Sequence, residues 1–178
     1  FSFYANANII NGSIEAIKFD TLSITAKNKN NRLSFLDFFL KYNNGYIDGK
    51  GWFDYNECSN YNFNDMDLNI IFNNYNINQI NEYLSWPIGV KGLLSGTLDA
   101  YGPNRNPLIK ADLSIINPIV DKIKGEKLYC NILYENKQLY FNDLIFHARG
   151  GEYKGKGNIP IYFPSSDMQD NRKKEIDF

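Results

Sequence analysis

A single histidine, His147, stands among 178 residues, which excludes a multi-histidine metal site and leaves His147 as the one residue a Ser-His-Asp relay could use. It follows Phe146 in an alternating run and reads as an ordinary strand residue. Asp65 and Asp67 are two apart and could share a strand face, as paired acids do in glycosidases or calcium loops. The glycine and distal Glu of a calcium loop are missing, and a solvated face accounts for both. Gly49-Lys50-Gly51 completes neither a P-loop nor a dinucleotide fingerprint, and no long helix follows it; bend glycines explain it better. Cys58 and Cys130 have neither the spacing of a metal site nor the density of a disulfide framework, and Cys130 reads as a small buried hydrophobe. Asn11-Gly12-Ser13 is formally a glycosylation sequon. Trp52, Trp86, Tyr101 and Tyr153 could stack sugars as in a lectin, but in so aromatic a chain they read as core or rim. No catalytic residue, metal ligand or cofactor is assigned, and the expectation is a protein that is not an enzyme.

Composition narrows the class further. The 19 basic and 20 acidic residues leave a net charge of −1, which offers no footprint for nucleic acid. Thirteen Phe and thirteen Tyr favour strands and must be buried somewhere. No apolar stretch approaches the ~18 residues of a membrane span, and no signal peptide opens the chain. Both termini, Phe1-Ser2-Phe3-Tyr4 and Glu175-Ile176-Asp177-Phe178, are strand-like. The expectation is therefore a segment of a longer polypeptide, with any signal or anchor outside it.

The elements that would position a site come in two copies. Adding 106 to the residue number aligns Ala5, Ile10, Asn11, Ile17, Lys18, Leu22, Asn30, Leu33, Phe35, Asp37, Gly45, Gly49, Lys50 and Gly51 with identical residues from Ala111 to Gly157, without a gap. Chance would supply roughly three or four such identities over some fifty positions. The expected organisation is a first repeat with its connecting strands over 1–106, a partial second copy over 107–163, and a polar loop over 164–178 leading toward a further repeat. All three belong to one continuous β structure.

Within each copy the periodicity is two, as at Leu22, Ile24 and Ala26 and again at Leu128, Cys130, Ile132 and Tyr134. Asn28–Asn31 and Glu135–Lys137 supply hairpin-tip chemistry. The returning strand is apolar at Leu33 and Phe35, then at Phe38 and Leu40. Its phase slips by one at Leu36-Asp37, and the second copy slips identically at Asn142-Asp143. A β-bulge does this, and bulges repeated at one place would curve the sheet into a trough. Short helical turns are expected at Asn11–Lys18 and Asn117–Lys124, each with an Asn cap and a late Lys, and at Asn76–Leu84.

One stretch carries a further pattern: Gly92-Leu93-Leu94-Ser95-Gly96-Thr97-Leu98 through Gly102 and Asn106-Pro107, then Leu139–Phe146, then Gly150-Gly151 and Gly157-Asn158-Ile159-Pro160-Ile161. It resembles the repeats of the AsmA/TamB-like (translocation and assembly module) bacterial envelope proteins. The likeness covers nearly the whole second copy; in the first, Trp52-Phe53-Asp54 replaces Asn158-Ile159-Pro160. The resemblance implies an elongated, curved, all-β antiparallel sheet, an open trough of the β-taco kind with a greasy concave face. It also implies a periplasmic, envelope-anchored scaffold that conducts phospholipid acyl chains between membranes. An outer-membrane barrel protein would be a partner through regions outside this segment.

The residues expected to line the groove are Leu22, Ile24, Leu33, Phe35, Phe38, Leu40, Leu98, Leu113, Leu128, Ile132, Leu139, Phe141, Leu144 and Phe146. A face this apolar either packs shut as a sandwich core or is covered by acyl chains. The closed form would suit an adhesin or carbohydrate-binding module, and that alternative stays open at this stage.

Overall fold

The computed structural model describes residues 2–14, 17–55, 63–79, 90–104 and 106–160. They form eleven strands: β1 (Phe3–Ile14), β2 (Ile17–Lys29), β3 (Arg32–Tyr42), β4 (Gly45–Tyr55), β5 (Phe63–Asn76), β6 (Val90–Pro103), β7 (Leu108–Val120), β8 (Ile123–Lys124), β9 (Lys127–Glu135), β10 (Gln138–Ala148) and β11 (Gly151–Pro160). All lie in one antiparallel sheet in chain order, with the two-residue β8 pairing β7 beside β9. Cys58, Trp86, the loop at 164–174 and the tail Glu175–Phe178 lie outside the described residues.

Asparagine sets the tight turns. Asn30 and Asn31 take φ of 52° and 59°, and Asn136 and Lys137 take 50° and 63°. Two consecutive positive φ values are what a two-residue hairpin needs to follow the right-handed twist of its strands. Both tips fall where the sequence predicts them.

The two copies pair identically. Leu22↔Leu40 in β2·β3 becomes Leu128↔Phe146 in β9·β10, and Phe35↔Gly51 in β3·β4 becomes Phe141↔Gly157 in β10·β11. Each pair maps onto the other when 106 is added to both members. The bulges repeat too: register shifts between Phe35 and Phe38, and between Phe141 and Leu144.

Two expectations fail. The sheet is open and without strong curl, so the bulges do not fold it into a trough. Around Leu36, β3 carries one residue more than both β2 and β4. The three strands then resume register together, and the offset stays local instead of turning a corner. The helical turns expected at Asn11–Lys18 and Asn117–Lys124 also fail to appear among the described residues. Asn11 and Asn117 lie inside β1 and β7 with φ of 54° and 51°, Ile17-Lys18 opens β2, and Ile123-Lys124 is β8. An asparagine that caps a helix equally tolerates a left-handed step in a strand. The neighbouring strand decides between them here, since Gly12 pairs Phe19 and the Asn117 N–H donates to the Glu126 carbonyl at 3.0 Å. In the third expected turn, Asn76 is the last residue of β5, and residues 80–84 lie outside the described residues.

Candidate functional site: one apolar face

Residues directly opposite in an antiparallel ladder share a face, so register alone assembles the site. One row runs Ile9, Leu22, Leu40, Ile47, Phe72, Gly96, Leu113, Cys130, Leu144, Gly155 across ten strands. The next, on the same face, runs Ala7, Ile24, Phe38, Gly49, Ile70, Leu98, Ala111, Ile132, Phe141, Gly157. A third joins Phe35, Leu68 and Ala100 to Leu139, and Leu33 sits opposite Phe53. Leu128 pairs Phe146 one row beyond.

All fourteen expected groove residues thus lie on one face. Leu22, Leu40 and Leu128 are buried and the other eleven are half-buried. Side chains of one layer shield each other only in part, and among the described residues no second sheet packs over them.

The face is denser than the sequence list suggests. Phe19 and Tyr75 close one cluster around Leu22 and Leu40, while Ile77, Leu94 and Ile115 close a second around Leu128. Tyr75 is only 1% exposed, and burial pushes its phenol above the ordinary value. Leu94 and Ile115 are two residues from Gly96 and Leu113, so extending the alternation by one step finds them. Tyr75 follows an irregularity between Phe72 and Tyr75 that pattern alone does not reveal.

The opposite face is more polar, although Phe39 and Ile71 lie on it, and is hydrogen-bonded across strands. Asp112 Oδ1 accepts from Asn131 Nδ2 at 2.6 Å and from the Tyr129 hydroxyl at 3.0 Å, and Asn131 in turn accepts from Asn142 Nδ2 at 2.9 Å. Near the β2·β3 tip, the Arg32 guanidinium grips both Asp54 oxygens at 2.6 and 2.8 Å and lies 3.7 Å from the Trp52 ring centre. The hydrogen bond from Arg32 holds the Asp54 carboxyl below the usual carboxylate range.

The residues weighed for chemistry lie on different strands. His147 faces Glu152 across β10·β11 at 3.6 Å. Asp65 and Asp67 flank Met66, which points to the apolar side opposite Phe53. Trp52 and Tyr101 belong to the polar face and Tyr153 to the apolar one, opposite Phe146, so they form no single platform. Among the described residues no cluster of three or more His, Cys, Asp or Glu could hold a metal. Comparison with known protein families, curated proteins and solved structures finds no match.

Proposed function

We propose that the apolar face binds lipid acyl chains and that the protein is a non-catalytic scaffold which passes such chains along its sheet. The observation that carries this reading is the pair of apolar rows crossing ten strands without a charged side chain. So wide an apolar surface in contact with water is costly, and extended hydrocarbon would lie well along it. Placement in the bacterial periplasm, a membrane anchor outside this chain and an outer-membrane barrel partner belong to the same proposal and rest on the resemblance in sequence. A closed sandwich, the basis of the adhesin or carbohydrate-binding alternative, has no counterpart in this single sheet.

The test is photo-crosslinking with a phospholipid that carries a diazirine in its acyl chain. Labelling should concentrate on the apolar face and fall sharply in Phe38→Asp combined with Phe141→Asp. Thr97→Asp, on the opposite face, should label as the parent does. Equal labelling of all three, with circular dichroism unchanged, would remove the acyl-chain reading.

A further inference from the structure

Among the described residues the two edges of the sheet, β1 and β11, differ in chemistry. β11 carries Glu152, Lys154, Lys156 and Pro160, the charges and proline with which natural edges resist pairing. β1 has none of these: Phe3–Ile14 contains no charged residue and no proline. Its register with β2 runs from Phe3↔Asn28 to Ile14↔Ile17 without a shift. Tyr4 and Ile10 are 67% and 69% exposed.

The repeat identifies what such an edge pairs with. β7 is the counterpart of β1, with Ala111, Ile116 and Asn117 at the places of Ala5, Ile10 and Asn11. The side of β7 that corresponds to the outer side of β1 is occupied by β6, through Leu94↔Ile115, Gly96↔Leu113 and Leu98↔Ala111. The fit is selective. Gly96 has φ 141°, and a Cβ there would run into the carbonyl oxygen of Asp112 and approach Leu113 Cα to 2.9 Å.

We propose that the outer edge of β1 accepts an antiparallel strand of the β6 type, supplied by another copy of the same six-strand unit. Subtracting 106 from the β7 positions sets the register: Leu94 of the incoming strand opposite Ile9, Gly96 opposite Ala7, and Leu98 opposite Ala5. The added strand extends both apolar rows by one member. Backbone hydrogen bonds supply the attraction, and the glycine with its flanking leucines supplies the selectivity.

The probe is a synthetic peptide of residues Val90–Pro103, labelled for fluorescence anisotropy, with photo-leucine at position 94, added to the full chain. Adducts should map to Ile9 and its immediate neighbours. Gly96→Val in the peptide should weaken binding by about tenfold or more, as should Ala7→Lys with Ile9→Lys in the protein. Tyr153→Lys on the other edge should leave binding unchanged. The peptide variant leaves the protein untouched, so its result does not depend on how the edge substitutions fold. Adducts on β11 or scattered over the sheet, equal binding of the Gly96→Val peptide, or no binding at millimolar peptide would each overturn the proposal.

Discussion

The ring of Phe146 lies over Gly125, and a Cβ added at Gly125 would strike its Cε2 and Cζ atoms. In the first copy the equivalent positions are Leu40 and Phe19, which pack together in the core cluster. The repeat therefore fills one slot in two ways, with the large ring on either partner. Gly125→Phe alone should overpack the slot and destabilise by about 1–3 kcal/mol. Adding Phe146→Leu recreates the first-copy pair and should recover much of that loss. Urea unfolding of the two single variants and the double variant measures the coupling, which should exceed about 1 kcal/mol. Additive losses would mean the two copies do not share this slot.

Gly49 and Gly51 sit two residues apart on the same face but tolerate change differently. Gly51 has φ 154°, and a Cβ there would meet the Asp67 carbonyl oxygen and come within 2.8 Å of Leu68. At Gly49 the nearest atoms are at 3.4 and 3.7 Å, which is close to ordinary contact. Gly51→Ala should cost about 2 kcal/mol or more, whereas Gly49→Ala should stay within about 1 kcal/mol of the parent. Thermal unfolding of the two variants decides it, and equal losses would contradict the steric argument.

This contrast marks what the sequence makes legible. Period-two alternation, the asparagine tips and the slip at Asp37 and Asp143 are local signals, and each survives as a strand, a turn or a bulge. The shared face of the fourteen apolar residues follows once the bulge corrects the phase. The same local evidence misleads at Asn11 and Asn117, because a left-handed asparagine suits a helix cap and a strand step equally, and only the partner strand breaks the tie. Curl is illegible for a related reason. It depends on how β2 and β4 accommodate the extra residue of β3, which no single strand encodes. Tyr75 and Phe19 escape notice because their burial comes from strands far away in the chain.

Arg32 and Asp54 have no counterpart in the second copy, where Gln138 and Pro160 stand instead. The pair is a local addition and not a demand of the fold. The Asp54 carboxyl is held low by its hydrogen bonds from Arg32. Its contribution is therefore present above the unfolded carboxylate value and lost as pH falls through the lower folded value. Asp54→Asn should lower stability slightly at neutral pH and converge on the parent below about pH 4, so that its acid limb is the flatter of the two. Arg32→Lys should do the same, because an ammonium cannot form the two-pronged contact. It should also change the fluorescence of Trp52, read in a Trp86→Phe background. An acid limb identical to the parent's would show that the pair contributes nothing to stability.

Cys130 lies between Leu113 and Leu144 on the apolar face, and burial pushes its thiol up to about 11. The ordinary value is 9.0, so the folded state retains a proton that the unfolded chain releases between those two values. Stability from this group is complete below pH 9 and falls as pH rises toward 11. The effect on unfolding free energy is at most about 2–3 kcal/mol. Buried tyrosines, Tyr75 and Tyr134 among them, are shifted in the same direction and contribute their own alkaline loss. The informative quantity is thus the difference between the parent and Cys130→Ala, measured in urea from pH 8 to pH 11. Cys130→Ala should lose less stability over that range, and the parent thiol should react slowly with iodoacetamide at pH 8.5 compared with the same chain in urea. Acyl chains seated on the apolar face would slow that reaction again, so adding phospholipid vesicles to the alkylation assay joins this measurement to the proposed function. Protection by vesicles that is lost in Phe38→Asp with Phe141→Asp is the expected result, and unchanged alkylation with and without lipid would count against acyl chains reaching Cys130.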